Sequence, residues 1–132
     1  MAKDNLCLYF QNSVSDSLIR HKSVLDVLSK FQETNARVNR AVVKAVTQCG
    51  CLKIKAEKPA IPEDISFREL KQYMETHLEG HLCSDCREAI EKEVGKNLFY
   101  LAGLCEYLDL SMEEIMDKEY KKVSTLGIFN LT

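Results

Sequence analysis

Six cysteines are the side chains most able to do chemistry in this 132-residue sequence. Four of them fall in two close pairs, Cys49-Gly50-Cys51 and, past the chain's only two prolines, Cys83-Ser84-Asp85-Cys86. A turn can bring both sulfurs of such a pair to one side of the backbone. Four thiolates suit a divalent ion in a tetrahedron, with metal–sulfur distances of about 2.3 Å. Gly50 permits backbone angles that let its flanking thiols converge. The second pair sits at an expected helix start, where backbone amides and the helix dipole favour thiolate over thiol.

A sphere closed by Cys49, Cys51, Cys83 and Cys86 leaves no position for water or substrate. The expected ion is therefore a structural Zn2+, contributing on the order of 10 kcal/mol to folding. The commoner zinc signature has two C-x-x-C pairs, and here one pair is C-x-C. Two other readings stay open: a redox-active or regulatory thiol pair, and unrelated buried thiols. An iron–sulfur cluster also takes four cysteines, but this chain lacks a cluster-type spacing. Cys105 lies on an apolar helix face and reads as core, and Cys7 reads as incidental. His77 and His81 are four apart, so on a helix they would share a face. His81 is the natural substitute if one cysteine were missing from the shell, and solvated or capping histidines are the alternative.

The elements that must position these residues read as helices. Leu18, Leu25, Leu28, Val38, Val42 and Ala45 recur at helical steps between Asp16 and Gln48; Gln32-Glu33-Thr34-Asn35 is weak for helix, so both one long helix and two, with a kink or break there, stay open. Pro59 and Pro62 exclude helix around them, so residues 49–65 read as a loop between two helical halves. Leu52-Lys53-Ile54-Lys55 alternates but is too short to imply a sheet. Lys53, Lys55 and Lys58 read as solvating the loop and offsetting thiolate charge, with a local basic patch as the alternative. Ser66 with Glu69 forms a capping box for a helix running to about Glu79. Ser84 or Asp85 caps the next, whose apolar face is Ile90, Val94, Leu98, Leu101, Cys105 and Leu108. Ser111 with Glu114 caps a last helix ending near Lys122. The expectation is an all-α bundle of four to five helices in one domain, with residues 1–14 as an arm and 123–132 as an apolar tail.

Residues 91–101, continuing through Leu104, Leu108-Asp109-Leu110-Ser111 and Glu113-Glu114-Ile115, resemble the last two helices of MazG-like proteins. Those proteins belong to the all-α nucleoside triphosphate pyrophosphohydrolase superfamily. The resemblance covers roughly 30 residues and extends weakly upstream through residues 76–82. It implies a nucleotide ligand and, if the protein is an enzyme, Mg2+ held by carboxylates on facing helices. Glu93 matches the first acid of the family's second pair. Lys96 stands where the family has aspartate, and a lysine there would repel the metal. Glu75, Glu79 and Glu93, extended by Glu88 or Glu91, are the acids from which a shifted site could be rebuilt; solvated surface charge is the alternative. The expected function is a MazG-like scaffold that binds a ligand or partner without robust hydrolase activity, with magnesium-dependent pyrophosphohydrolysis as the second reading.

Composition bounds the rest. Hydrophobic residues make up 45% and charged residues 29%, an ordinary globular mix. The formal net charge of −2 does not suggest a nucleic-acid binder. No apolar run approaches the ~20 residues of a membrane span. Met1 to Asn5 shows no apolar signal core, so the expected location is the cytoplasm, where disulfides are disfavoured. Homo-oligomers are expected, with Phe99, Tyr100, Met112, Met116 and Tyr120 as residues for an interface or for the core.

Overall fold

A computed structural model describes residues 5–18 and 22–126. Four helices dominate: α1 (Leu6–Ser17), α2 (Val24–Lys44), α3 (Ser84–Tyr107) and α4 (Met112–Leu126). The strands among the described residues are β1 (Leu52–Ile54) and β2 (Leu78–Gly80), an antiparallel pair with Leu52 opposite Gly80 and Ile54 opposite Leu78. The expected all-α class holds. The arm expected at residues 1–14 is largely helix α1, and α4 continues to Leu126, into the expected tail. His21 and the tail beyond Leu126 lie outside the described residues.

The chain divides into two compact units, residues 1–36 with 94–132, and residues 37–93. In the first, Val14, Leu18, Val27 and Ala102 form a buried cluster, with Phe10, Phe99, Tyr100, Leu104 and Met112 packed against it. Cys105 is buried, as its place on the apolar face implies. Gln11 is buried too. Its Nε2 donates to Glu106 Oε1 at 2.9 Å and to the Leu110 carbonyl at 2.7 Å, and its Oε1 accepts from the Met112 amide at 2.8 Å. One side chain thus satisfies the backbone groups of the α3–α4 turn, where Asp109 adopts the left-handed conformation. At the start of α4 the Glu114 amide donates to Ser111 Oγ at 3.2 Å, the amide half of the expected cap.

Of the two readings of residues 32–35, one helix or two, the first holds, and α2 runs through them. Thr34 Oγ1 donates to the Phe31 carbonyl at 2.9 Å, while Asn97 Nδ2 donates to Thr34 Oγ1 at 3.1 Å and to Asn35 Oδ1 at 2.6 Å. Long-range bonds therefore occupy the side chains that would otherwise compete with the helix.

The larger departure is in residues 37–93. The helix expected from Ser66 to Glu79 is a single 3-10 turn, Glu69–Gln72. Ser66 Oγ accepts from the Glu69 amide at 3.3 Å, but the helix that this bond signals goes no further than the one turn. The chain then turns into β2, which pairs with the stretch Leu52-Lys53-Ile54 that was too short to signal a sheet by itself. The Lys55 amide extends the ladder, donating to the His77 carbonyl at 2.9 Å. This pairing competes with helix and overrides a local capping signal. His77, at φ 59°, and His81, beyond the end of β2, therefore do not share a helix face.

Candidate metal centre

The first cysteine pair is placed by a helix that widens as it ends. Residues Ala45–Cys49 form a π-turn closed by the Gly50 amide on the Ala45 carbonyl at 3.0 Å. Gly50 takes φ +81°, a conformation that suits glycine, and sends Cys51 into β1. Strand pairing fixes the next step. Gly80, at φ +85°, passes so close to Cys51 that a Cβ there would strike the Cys51 carbonyl oxygen. β2 then delivers the chain to Cys83 at the head of α3.

Cys83 itself caps α3, in place of the expected Ser84 or Asp85. Its carbonyl accepts from the Arg87 amide at 2.9 Å and its sulfur from the Cys86 amide at 3.4 Å. That amide, together with a hydrogen bond from the Cys86 thiol, holds the Cys83 thiol down to about 7. The same sharing of a proton with Cys83 pushes the Cys86 thiol upward.

The sulfurs of Cys49, Cys51, Cys83 and Cys86 all lie within 4.8 Å of one another. Cys49 Sγ and Cys83 Sγ are 3.7 Å apart. Four sulfurs at about 2.3 Å from one ion stand about 3.8 Å from each other, so the group fits a single tetrahedral metal. The four cysteines are free thiols. They are half-buried except Cys49, which is exposed.

The acids are not gathered in this way. Among the described residues, no other group of three His, Cys, Asp or Glu side chains lies close enough to share an ion. Glu75 and Glu79 line one hollow, of about 240 Å³, and Glu79 approaches Lys55 at 4.0 Å. Glu93 lines a different cavity, with one carboxylate oxygen buried and without a hydrogen-bond partner. Glu79 lies in β2 and Glu75 in the coil before it, so these two acids do not share a helix face.

The cavity lined by Glu93 was not foreseen. It holds about 470 Å³ and takes Arg37, Arg40 and Lys44 from α2 and Lys92 from α3, along with Asp85, Cys49 and Cys86. Among the described residues Arg40, Lys44 and Lys92 form no ion pair. The i, i+3, i+7 spacing of the α2 cations was a readable signal, since it places all three on one helix face. No described helix is long and apolar enough to cross a membrane. Compared with known proteins, the chain matches no family model, no curated protein and no solved structure.

Proposed function

We propose that this chain is a zinc-stapled helical scaffold that acts by binding, without robust hydrolase activity. The convergence of four sulfurs from two separate stretches of chain carries the reading. Their closeness supports one ion over an iron–sulfur cluster, whose cysteines are divided among two or more irons, so that thiolates on different irons must stand farther apart. Zinc has no redox chemistry and no geometric preference of its own, which suits a permanent crosslink. The reading assigns the protein to the reducing cytoplasm, where thiolates remain available to the ion.

The ligand in this reading is a nucleotide-like anion. The MazG resemblance suggests it, and the cavity bearing Arg40, Lys44 and Lys92 supplies cations for phosphate oxygens. Cavities of this size suit small molecules.

Elemental analysis tests the core of the proposal. One zinc per chain is expected, with loss in Cys83→Ser; a full-length protein that binds no metal overturns it. Titration with a nucleoside triphosphate in the absence of magnesium should show saturable binding, weakened at least tenfold in Arg40→Glu/Lys92→Glu while zinc content is unchanged. Magnesium-dependent pyrophosphate release that disappears in Glu93→Gln would replace the binding role with catalysis.

A further inference from the structure

The four sulfurs of the candidate metal centre are not equally placed. Cys49 is exposed, whereas Cys51, Cys83 and Cys86 are half-buried. Cys49 also lines the cavity of about 470 Å³ in the unit formed by residues 37–93, together with Arg40, Lys44, Lys92 and Asp85. Cys83 does not line it, yet its sulfur lies 3.7 Å from that of Cys49. One thiol therefore meets whatever enters the cavity, and a second stands directly behind it.

A bound ion does not silence such a pair. Zinc has no redox chemistry, but the thiolate that binds it is also the form that attacks a disulfide. The cavity decides which disulfide. Arg40 and Lys44 on α2 and Lys92 on α3 form no ion pair among the described residues, and they suit carboxylates. Asp85, on the same wall as Lys92, suits an ammonium. A cavity of this size takes a tripeptide-sized molecule. Each of these groups is met by one half of a small peptide disulfide that keeps free carboxylates and a free ammonium. Glutathione disulfide is of that class.

We propose that Cys49 is the entry thiol for a small anionic peptide disulfide bound in this cavity, and that Cys83 resolves the adduct. The Cys49 thiolate attacks one sulfur of the disulfide, forming a mixed disulfide and expelling one peptide thiolate. The Cys83 thiolate then attacks the Cys49 sulfur, closing a Cys49–Cys83 disulfide and expelling the second peptide thiolate. Each protein thiolate gives up one electron, the incoming disulfide takes both, and the expelled thiolates take up protons from water. The two sulfurs close from 3.7 Å to about 2.05 Å. Cys51 and Cys86 alone no longer hold the ion, and it leaves. The new bond joins the two cysteine pairs of the sequence instead of closing either one. This goes beyond the binding reading and stands whether or not a nucleotide enters the same cavity.

Two probes test the proposal on the full-length, metal-loaded chain: glutathione disulfide and the uncharged hydroxyethyl disulfide, at equal concentration. Zinc release is followed with a chromophoric chelator. Glutathione disulfide should release zinc at least tenfold faster, at a rate that saturates with its concentration. Arg40→Glu/Lys44→Glu should remove that advantage, with zinc content and the hydroxyethyl disulfide rate unchanged. Peptide mapping of the product should join Cys49 to Cys83, and Cys83→Ser should accumulate a glutathione adduct on Cys49. Equal rates for the two probes, an advantage that survives Arg40→Glu/Lys44→Glu, or a product disulfide without Cys49 would each overturn the proposal. Mapping reads the same sulfur chemistry on a chain that carries no metal, so a missing ion defeats only the zinc assignment.

Discussion

Two glycines flank the sulfur cluster with nearly the same backbone angle, φ +81° at Gly50 and +85° at Gly80, yet an added methyl would meet different surroundings. At Gly50 a Cβ has nothing within 4 Å. At Gly80 it strikes the Cys51 carbonyl oxygen and comes within 3.4 Å of the carbonyl carbon and 3.7 Å of Leu52 Cα. These are backbone atoms held by strand pairing, so they cannot rotate away as a side chain would. Gly50→Ala therefore carries only the left-handed penalty, about 1 kcal/mol. Gly80→Ala carries that penalty and also pushes back the residue whose sulfur must reach the ion, for a total of about 3 kcal/mol. At 1.4 kcal/mol per decade, zinc affinity should fall about fivefold in Gly50→Ala and on the order of 100-fold in Gly80→Ala. Competition against a chromophoric chelator measures both. Equal effects in the two variants, or an unchanged affinity in Gly80→Ala, would refute the claim that close approach of β2 to Cys51 sets the site.

Other consequences are read more directly. Metal binding must displace thiol protons. Because the Cys86 amide holds the Cys83 thiol at about 7, this group is mostly thiolate at pH 8 and mostly thiol at pH 6. Proton release per zinc, measured by calorimetry in buffers of different ionisation enthalpy, should rise by about one from pH 8 to pH 6, and affinity should fall with it. In the metal-free chain the Cys83 thiol lies below its ordinary 9.0, so its stabilising contribution is complete above about pH 9 and is lost as pH falls through about 7. Gln11→Leu strands the Leu110 carbonyl and the Met112 amide at the α3–α4 turn, and should cost about 3 kcal/mol in urea unfolding with little change in slope.

What the sequence made legible is what local chemistry decides. Helical spacing located most of α2, α3 and α4, and the Ser111 cap fell where the backbone uses it. The two cysteine pairs announced a shared site because sulfur pairs in a short span have few other uses. Residues 66–82 were misread because their structure is decided elsewhere. Three residues of β1 carry almost no signal alone, yet once Leu52 faces Gly80 their ladder overrides the Ser66 cap. The choice between one helix and two at Gln32–Asn35 stayed open for the same kind of reason, since Asn97 reaches across from a distant stretch to satisfy Thr34 and Asn35.

The same logic separates the two catalytic and structural readings of the sequence. A magnesium site needs acids on facing helices, and of its first acids Glu79 lies in β2 and Glu75 in the coil that leads into it. The sulfur site needs a turn, a short ladder and a helix head, and the non-local pairing that takes up Glu79 is what brings Cys51 to Cys83. Here one physical event, the docking of β2 on β1, takes Glu79 out of a helix while it brings the stretches bearing the four cysteines together.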